Sequence, residues 1–229
     1  MNDTMSPMPD HEPDSTPPSL LKLFIFIAIG SIGIFLAIWL PDYLEQEEAR
    51  RAQWRSEMSV LIQTILGSND VEPVFEGLDK INSNPQAVQS FEFSVVAEAL
   101  LGFRYHQESF DLADLALKHV DTVADKLRFH EVKARAAFKM GDLALGRSIY
   151  ALALETLSSN GLPYDEQQVL EAAKLVLLSK WIDQELRKGQ CENAEDVMTT
   201  IKEMDADMLE GLPGFIQRST KSIQEVCQT

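Results

Sequence analysis

From Leu23 to Leu40 the chain reads LFIFIAIGSIGIFLAIWL, eighteen consecutive residues without a charge. As a helix rising 1.5 Å per residue, this run spans about 27 Å, the hydrocarbon thickness of a bilayer. A soluble protein burying such a helix on all sides needs a larger surrounding core than 229 residues supply. Lys22 can carry its ammonium to one interface, and Trp39 and Tyr43 sit where aromatic belts form at the other. The run therefore predicts a transmembrane helix over 19–40. The residues before it hold Asp3, Asp10, Glu12 and Asp14 with no Lys or Arg until Lys22, and no Ala-x-Ala follows it. A cleavable signal peptide has the opposite signature, so the helix is expected to stay attached. Residues 1–18 carry five prolines, too few apolar groups to offset ordering, and are expected to form a disordered acidic tail. Within the apolar run, Gly33 and Ala37 have the small-x-x-x-small spacing that lets a second membrane helix approach.

Orientation rests on a balance of charge. Arg50, Arg51 and Arg55 follow the run, but Glu45, Glu47 and Glu48 are interleaved with them, and long domains cross largely regardless of charge. The expectation is a C-terminal domain outside the cytoplasm. The formal net charge of -16 argues against nucleic acid and anionic lipid faces as partners. The two cysteines are too few for a disulfide framework or a four-cysteine zinc site. Cys191 follows Gly189 at a helix start and Cys227 lies near the chain end. A bond between them would staple the terminal helix in an oxidising compartment such as the periplasm. Two unpaired, partly buried thiols are the alternative, and the sequence leaves both open.

Beyond the run, apolar residues recur at three and four, as in Val95, Val96, Ala99, Leu100 and Phe103, which is helical spacing. Gly- and Asn-rich breakers at 67–70, 82–85, 141–142, 159–163 and 189–190 separate the segments. The prediction is an all-α chain with helices near 43–66, 71–82, 86–107, 109–121, 124–140, 143–158, 165–188, 191–204 and 206–226. Residues 41–85 are expected to form linking helices with a degenerate first hairpin, and 86–229 a helical domain closed by a terminal capping helix.

One pair carries a specific pattern. A helix ends at Gly141, Asp142 caps the next, and Gly146, Tyr150 and Ala153 then place a small, an aromatic and a small residue on one face. This pair resembles the tetratricopeptide repeat. Leu101, Gly102 and Tyr105, followed by Phe110 and Ala113, resemble the same repeat with a turn one residue short; Ala113 to Gly146 is 33 residues against a family period of 34. Gly189, Ala194, Met198 and Ile201 form a looser third match. His130 and Lys133 depart from the family, standing where it has large apolar residues. The resemblance implies an α-solenoid of helix hairpins whose first helices line a protein-binding groove. Carried across position by position, the groove residues are Phe103, His106, Arg128, Glu131, Arg135, Phe138, Asp183 and Leu186. Arg128 and Arg135 would be placed to meet a carboxylate. The Lys and Asn set of the chaperone-tail-binding members is not present.

Gly-rich phosphate loops, His-Glu-x-x-His and Gly-x-Ser-x-Gly are all absent from the sequence, and His106, His119 and His130 lack partners at zinc-ligand spacing. No catalytic residue, cofactor or metal is therefore expected. In architecture the chain is similar to membrane-anchored repeat proteins of bacterial envelopes. That similarity implies the bacterial inner membrane, a periplasmic C-terminal domain, and a scaffold that binds a partner protein to assemble or stabilise a membrane complex. A periplasmic chaperone holding extended client peptides is the alternative; homo-oligomerisation is left open.

Overall fold

A computed structural model describes residues 20–157, 164–204 and 213–227, with side chains for 43–157, 169, 171–204 and 219–227. The predicted tail over 1–18 and the side chains of the predicted anchor over 19–40, Gly33 and Ala37 among them, lie outside these. Every regular element described is helical. The chain divides into two compact units, 1–54 and 55–229.

Helix α1 runs Leu20–Gly67. In the first unit its described surface is mixed, with Tyr43 and Leu44 exposed before a charged stretch in which Glu47 pairs with Arg51 at 3.2 Å, one turn away. Pairs at that spacing support a helix by tenths of a kcal/mol (about 0.2–0.5). Among the residues with described side chains, no helix is long and apolar enough to cross a membrane.

The second unit starts with the last turns of α1, where Met58, Leu61, Ile62 and Ile65 are buried. There follow α2 (Glu72–Ser83), a 3-10 turn (Pro85–Ala87), α3 (Ser90–Gly102), α4 (His106–Leu117), α5 (Val123–Met140), α6 (Leu143–Thr156), α7 (Tyr164–Arg187), α8 (Cys191–Lys202) and α9 (Pro213–Cys227). α3 packs on α4, α5 on α6 and α7 on α8, while α5 also touches both α3 and α7. α9 lies against α7 and α8. These packed pairs are compatible with a helical-repeat solenoid.

Local chemistry sets the boundaries. The Thr122 and Asp142 side chains accept the N–H groups of Asp125 (3.1 Å) and Leu145 (3.0 Å), capping α5 and α6. Each pair then turns in the same way. The N–H groups of Tyr105, Asp142 and Gln190 return to the carbonyls of Leu100, Ala137 and Glu185 at 2.9, 3.0 and 2.9 Å. The residue before each takes a left-handed conformation: Arg104 (φ 71°), Gly141 (φ 90°) and Gly189 (φ 67°). Such six-to-one bonds close a helix around a residue of positive φ, for which glycine is cheapest.

The second helices share one burial register. Their fourth, seventh, eighth and eleventh residues are buried: Ser109, Leu112, Ala113 and Ala116 in α4; Gly146, Ile149, Tyr150 and Ala153 in α6; Ala194, Val197, Met198 and Ile201 in α8. This corrects the sequence alignment. Ala113 corresponds to Tyr150, and Ser109 occupies the small position of Gly146, 37 residues earlier. Ser109 is tolerated there because its hydroxyl donates to the Ala97 carbonyl at 2.8 Å. The expected helices 86–107 and 109–121 are corrected likewise. α3 ends at Gly102 and α4 begins at His106, because Arg104 adopts a conformation that sequence reasoning reserves for Gly or Asn.

Candidate functional site: a groove between α5 and α7

Where α5 and α7 run side by side, a groove of about 370 Å³ opens. Ala124 and Leu127 from α5, with Ala172, Ala173, Val176 and Leu177 from α7, make its apolar floor. Val176 is 53% exposed, a large apolar side chain left in water. Three charged groups complete the lining: Arg128, Glu131 and Lys180. The small alanines matter, since they leave room for another segment's side chains to reach the helix backbones.

The charges are arranged in a ladder that crosses three helices. Glu98 on α3 accepts from Arg135 Nη1 on α5 at 2.9 Å. Arg135 also donates to Glu131 Oε1 at 3.2 Å, and Glu131 Oε2 meets Lys180 Nζ on α7 at 2.9 Å. Glu131 is almost fully buried, so its two oxygens are matched by two cations, as a buried carboxylate requires. Burial opposes the charge on Arg135, but Glu131 and Glu98 outweigh it and hold the guanidinium pKa above its usual value. Arg128, by contrast, is exposed and makes no ion pair or hydrogen bond among the described residues. The nearby Asp125 carboxylate accepts from the Ser90 and Thr122 hydroxyls, which, with a smaller contribution from the Arg128 charge, hold its pKa below the ordinary range. The groove thus offers an exposed cation, without a direct ion pair among the described residues, beside an apolar floor.

Behind α7 lies a second polar centre. The Glu185 carboxylate is fully buried and receives Arg147 Nε and Nη2, each at 2.8 Å, and Trp181 Nε1 at 2.8 Å. Trp181 stacks on Tyr150 with centroids 5.4 Å apart and planes at 9°. The Tyr150 hydroxyl is buried without a hydrogen-bond partner, and burial, with Glu131 adding to it, pushes its pKa well above the usual phenol value.

The residues expected in one groove are divided among several surroundings. Arg128 and Glu131 line it, and Arg135 joins it through the ladder. Asp183 is exposed on α7 and pairs with Arg187 at 2.8 Å. Phe138 is fully buried against α6, and Leu186 packs on the α7–α8–α9 core. Phe103 and His106 flank the α3–α4 turn, half-buried, where burial, then Lys139 and Arg104, lowers the His106 pKa. Sequence reasoning missed Val176, Lys180 and Glu185. Glu185 had a signal, since it stands four residues before the turn, where the other hairpins have Leu100 and Ala137.

Cys191 and Cys227 are joined by a disulfide with Cα atoms 5.7 Å apart. No cluster of three or more potential metal ligands occurs among the described residues. Set against known protein families, curated proteins and solved structures, the chain has no significant match in any of the three.

Proposed function

We propose that this chain is a non-catalytic, single-pass membrane protein whose helical domain binds a partner protein and supports assembly or stability of a membrane complex. The observation that carries the proposal is the α5–α7 groove, an open apolar floor beside the exposed Arg128. Open apolar grooves between helices are suited to a partner's side chains, with charged rims setting register. The eighteen-residue uncharged run supports an anchor over 19–40. The Cys191–Cys227 disulfide favours an oxidising compartment, hence a periplasmic domain on a bacterial inner membrane. The tetratricopeptide-like assignment rests on the shared register of α4, α6 and α8.

Affinity purification of the tagged full chain from gently solubilised native membranes tests the proposal. One protein in near-equal molar amount, lost in Arg128→Glu and in Val176→Asp, is the expected result. Many substoichiometric clients would instead establish the chaperone alternative. Recovery of the bait alone would remove both.

A further inference from the structure

We propose that the Cys191–Cys227 disulfide is an exchangeable latch, opened by a dithiol reductant, that holds α9 over the apolar face of α7 and α8. The bond ties the first residue of α8 to the last turn of α9, closing a separation of 36 residues. Both cysteines are partly exposed, with Cys227 also packed against the α7–α8 core, and exchange requires that a thiolate reach one sulfur. Among α9 side chains described over 219–227, Ile223 alone is buried, at 7% exposure; Lys221, Ser222, Gln224, Glu225 and Val226 face solvent. Ile223 belongs to one buried cluster with Leu175, Leu178 and Ile182 of α7 and Val197 and Ile201 of α8. The covalent tie thus adds to the Ile223 contact in keeping this end of α9 in place. Breaking it uncovers a ready-made apolar strip on an otherwise complete hairpin.

The exchange balances without any further reactant. One thiolate of the dithiol attacks Cys227 Sγ, and the S–S bond breaks as Cys191 leaves as a thiolate at the α8 N-terminus, where helix dipoles favour negative charge. The reductant's second thiol then attacks its own sulfur in the mixed disulfide, releasing Cys227. The protein gains two electrons and two protons as two thiols, and the dithiol loses them as a disulfide. This latch stands independently of what occupies the α5–α7 groove.

The test uses the full chain in detergent micelles, with dithiothreitol as the dithiol and alkylation to count thiols by mass. Hydrogen exchange is then followed helix by helix. Exchange in 213–227 is expected to rise on the order of a hundredfold once two thiols are alkylated, with α3–α6 unchanged. Binding of a hydrophobic dye should rise with it, and Cys191→Ser/Cys227→Ser should behave as the reduced protein untreated. Three results would overturn the latch. Unchanged α9 protection after full alkylation makes the bond redundant. Resistance to dithiothreitol unless the chain is denatured makes it inaccessible. Faster exchange through α3–α6 makes it a global staple instead.

Discussion

Arg147 of α6 grips Glu185 of α7 through both carboxylate oxygens, two parallel bonds of 2.8 Å that join successive hairpins. The carboxylate has no access to water, so it depends on this guanidinium and on the Trp181 N–H. Arg147→Ala strands a buried charge and should cost about 3–5 kcal/mol. Arg147→Leu with Glu185→Leu removes the charge with its partner, so it should recover most of that loss, leaving about 1–3 kcal/mol for the Trp181 N–H that loses its acceptor. Chemical denaturation of the three proteins measures both.

Gly146 permits the close approach of α5 and α6. A Cβ built there would lie 2.6 Å from Phe138 Cε2, and the ring is fully buried. Gly146→Ala should therefore destabilise by about 1–3 kcal/mol through overpacking. Gly102→Ala, where a Cβ meets nothing within 4 Å, should be neutral or slightly stabilising. Equal melting temperatures for the two would contradict this packing.

Arg104 carries a turn that its two counterparts give to glycine. Left-handed backbone costs a side chain about 1–2 kcal/mol, partly offset by the entropy glycine loses on folding. Arg104→Gly should thus raise stability by roughly 0.5–1 kcal/mol, read as a shifted denaturation midpoint. A loss of stability would mean that the Arg104 side chain makes up for its backbone.

His130 predicts a pH dependence. Burial, then Lys133, holds its pKa below 6.5, and its Nδ1 is buried without a hydrogen-bond partner. Below about pH 6.5 the unfolded chain takes up a proton that the folded one resists, so stability falls with pH until the lowered folded value is passed. His130→Leu, matching Phe93 and Leu178 at the same distance from their turns, should lessen the loss between pH 7 and 5. His106 contributes with the same sign, so the difference between parent and variant is the quantity to measure.

The turn, cap and packed face of the α5–α6 hairpin were legible in the sequence, because Gly141, Asp142, Gly146 and Tyr150 each announce one of them, whereas Phe138, expected in the groove, is core. The α3–α4 turn was not, because Arg104 carries a glycine's conformation and Gly102 pointed two residues too early. That error moved Ala113 into the place of Ser109. The site was half legible: Arg128 and Glu131 could be placed from the turn at Gly141, counting back along one helix. Val176 and Lys180 were missed although the Gly189 turn gives α7 the same register: Val176 stands 13 residues before Gly189, as Arg128 stands before Gly141, but an apolar residue there reads as core rather than groove.

Site-specific photocrosslinking in native membranes probes the proposed docking directly, using the full chain with a photoreactive side chain at Val176 or at exposed Leu152 on α6. A partner in the α5–α7 groove predicts one discrete adduct from Val176, lost on Arg128→Glu, and none from Leu152. No adduct from Val176, or one unaffected by Arg128→Glu, would contradict it.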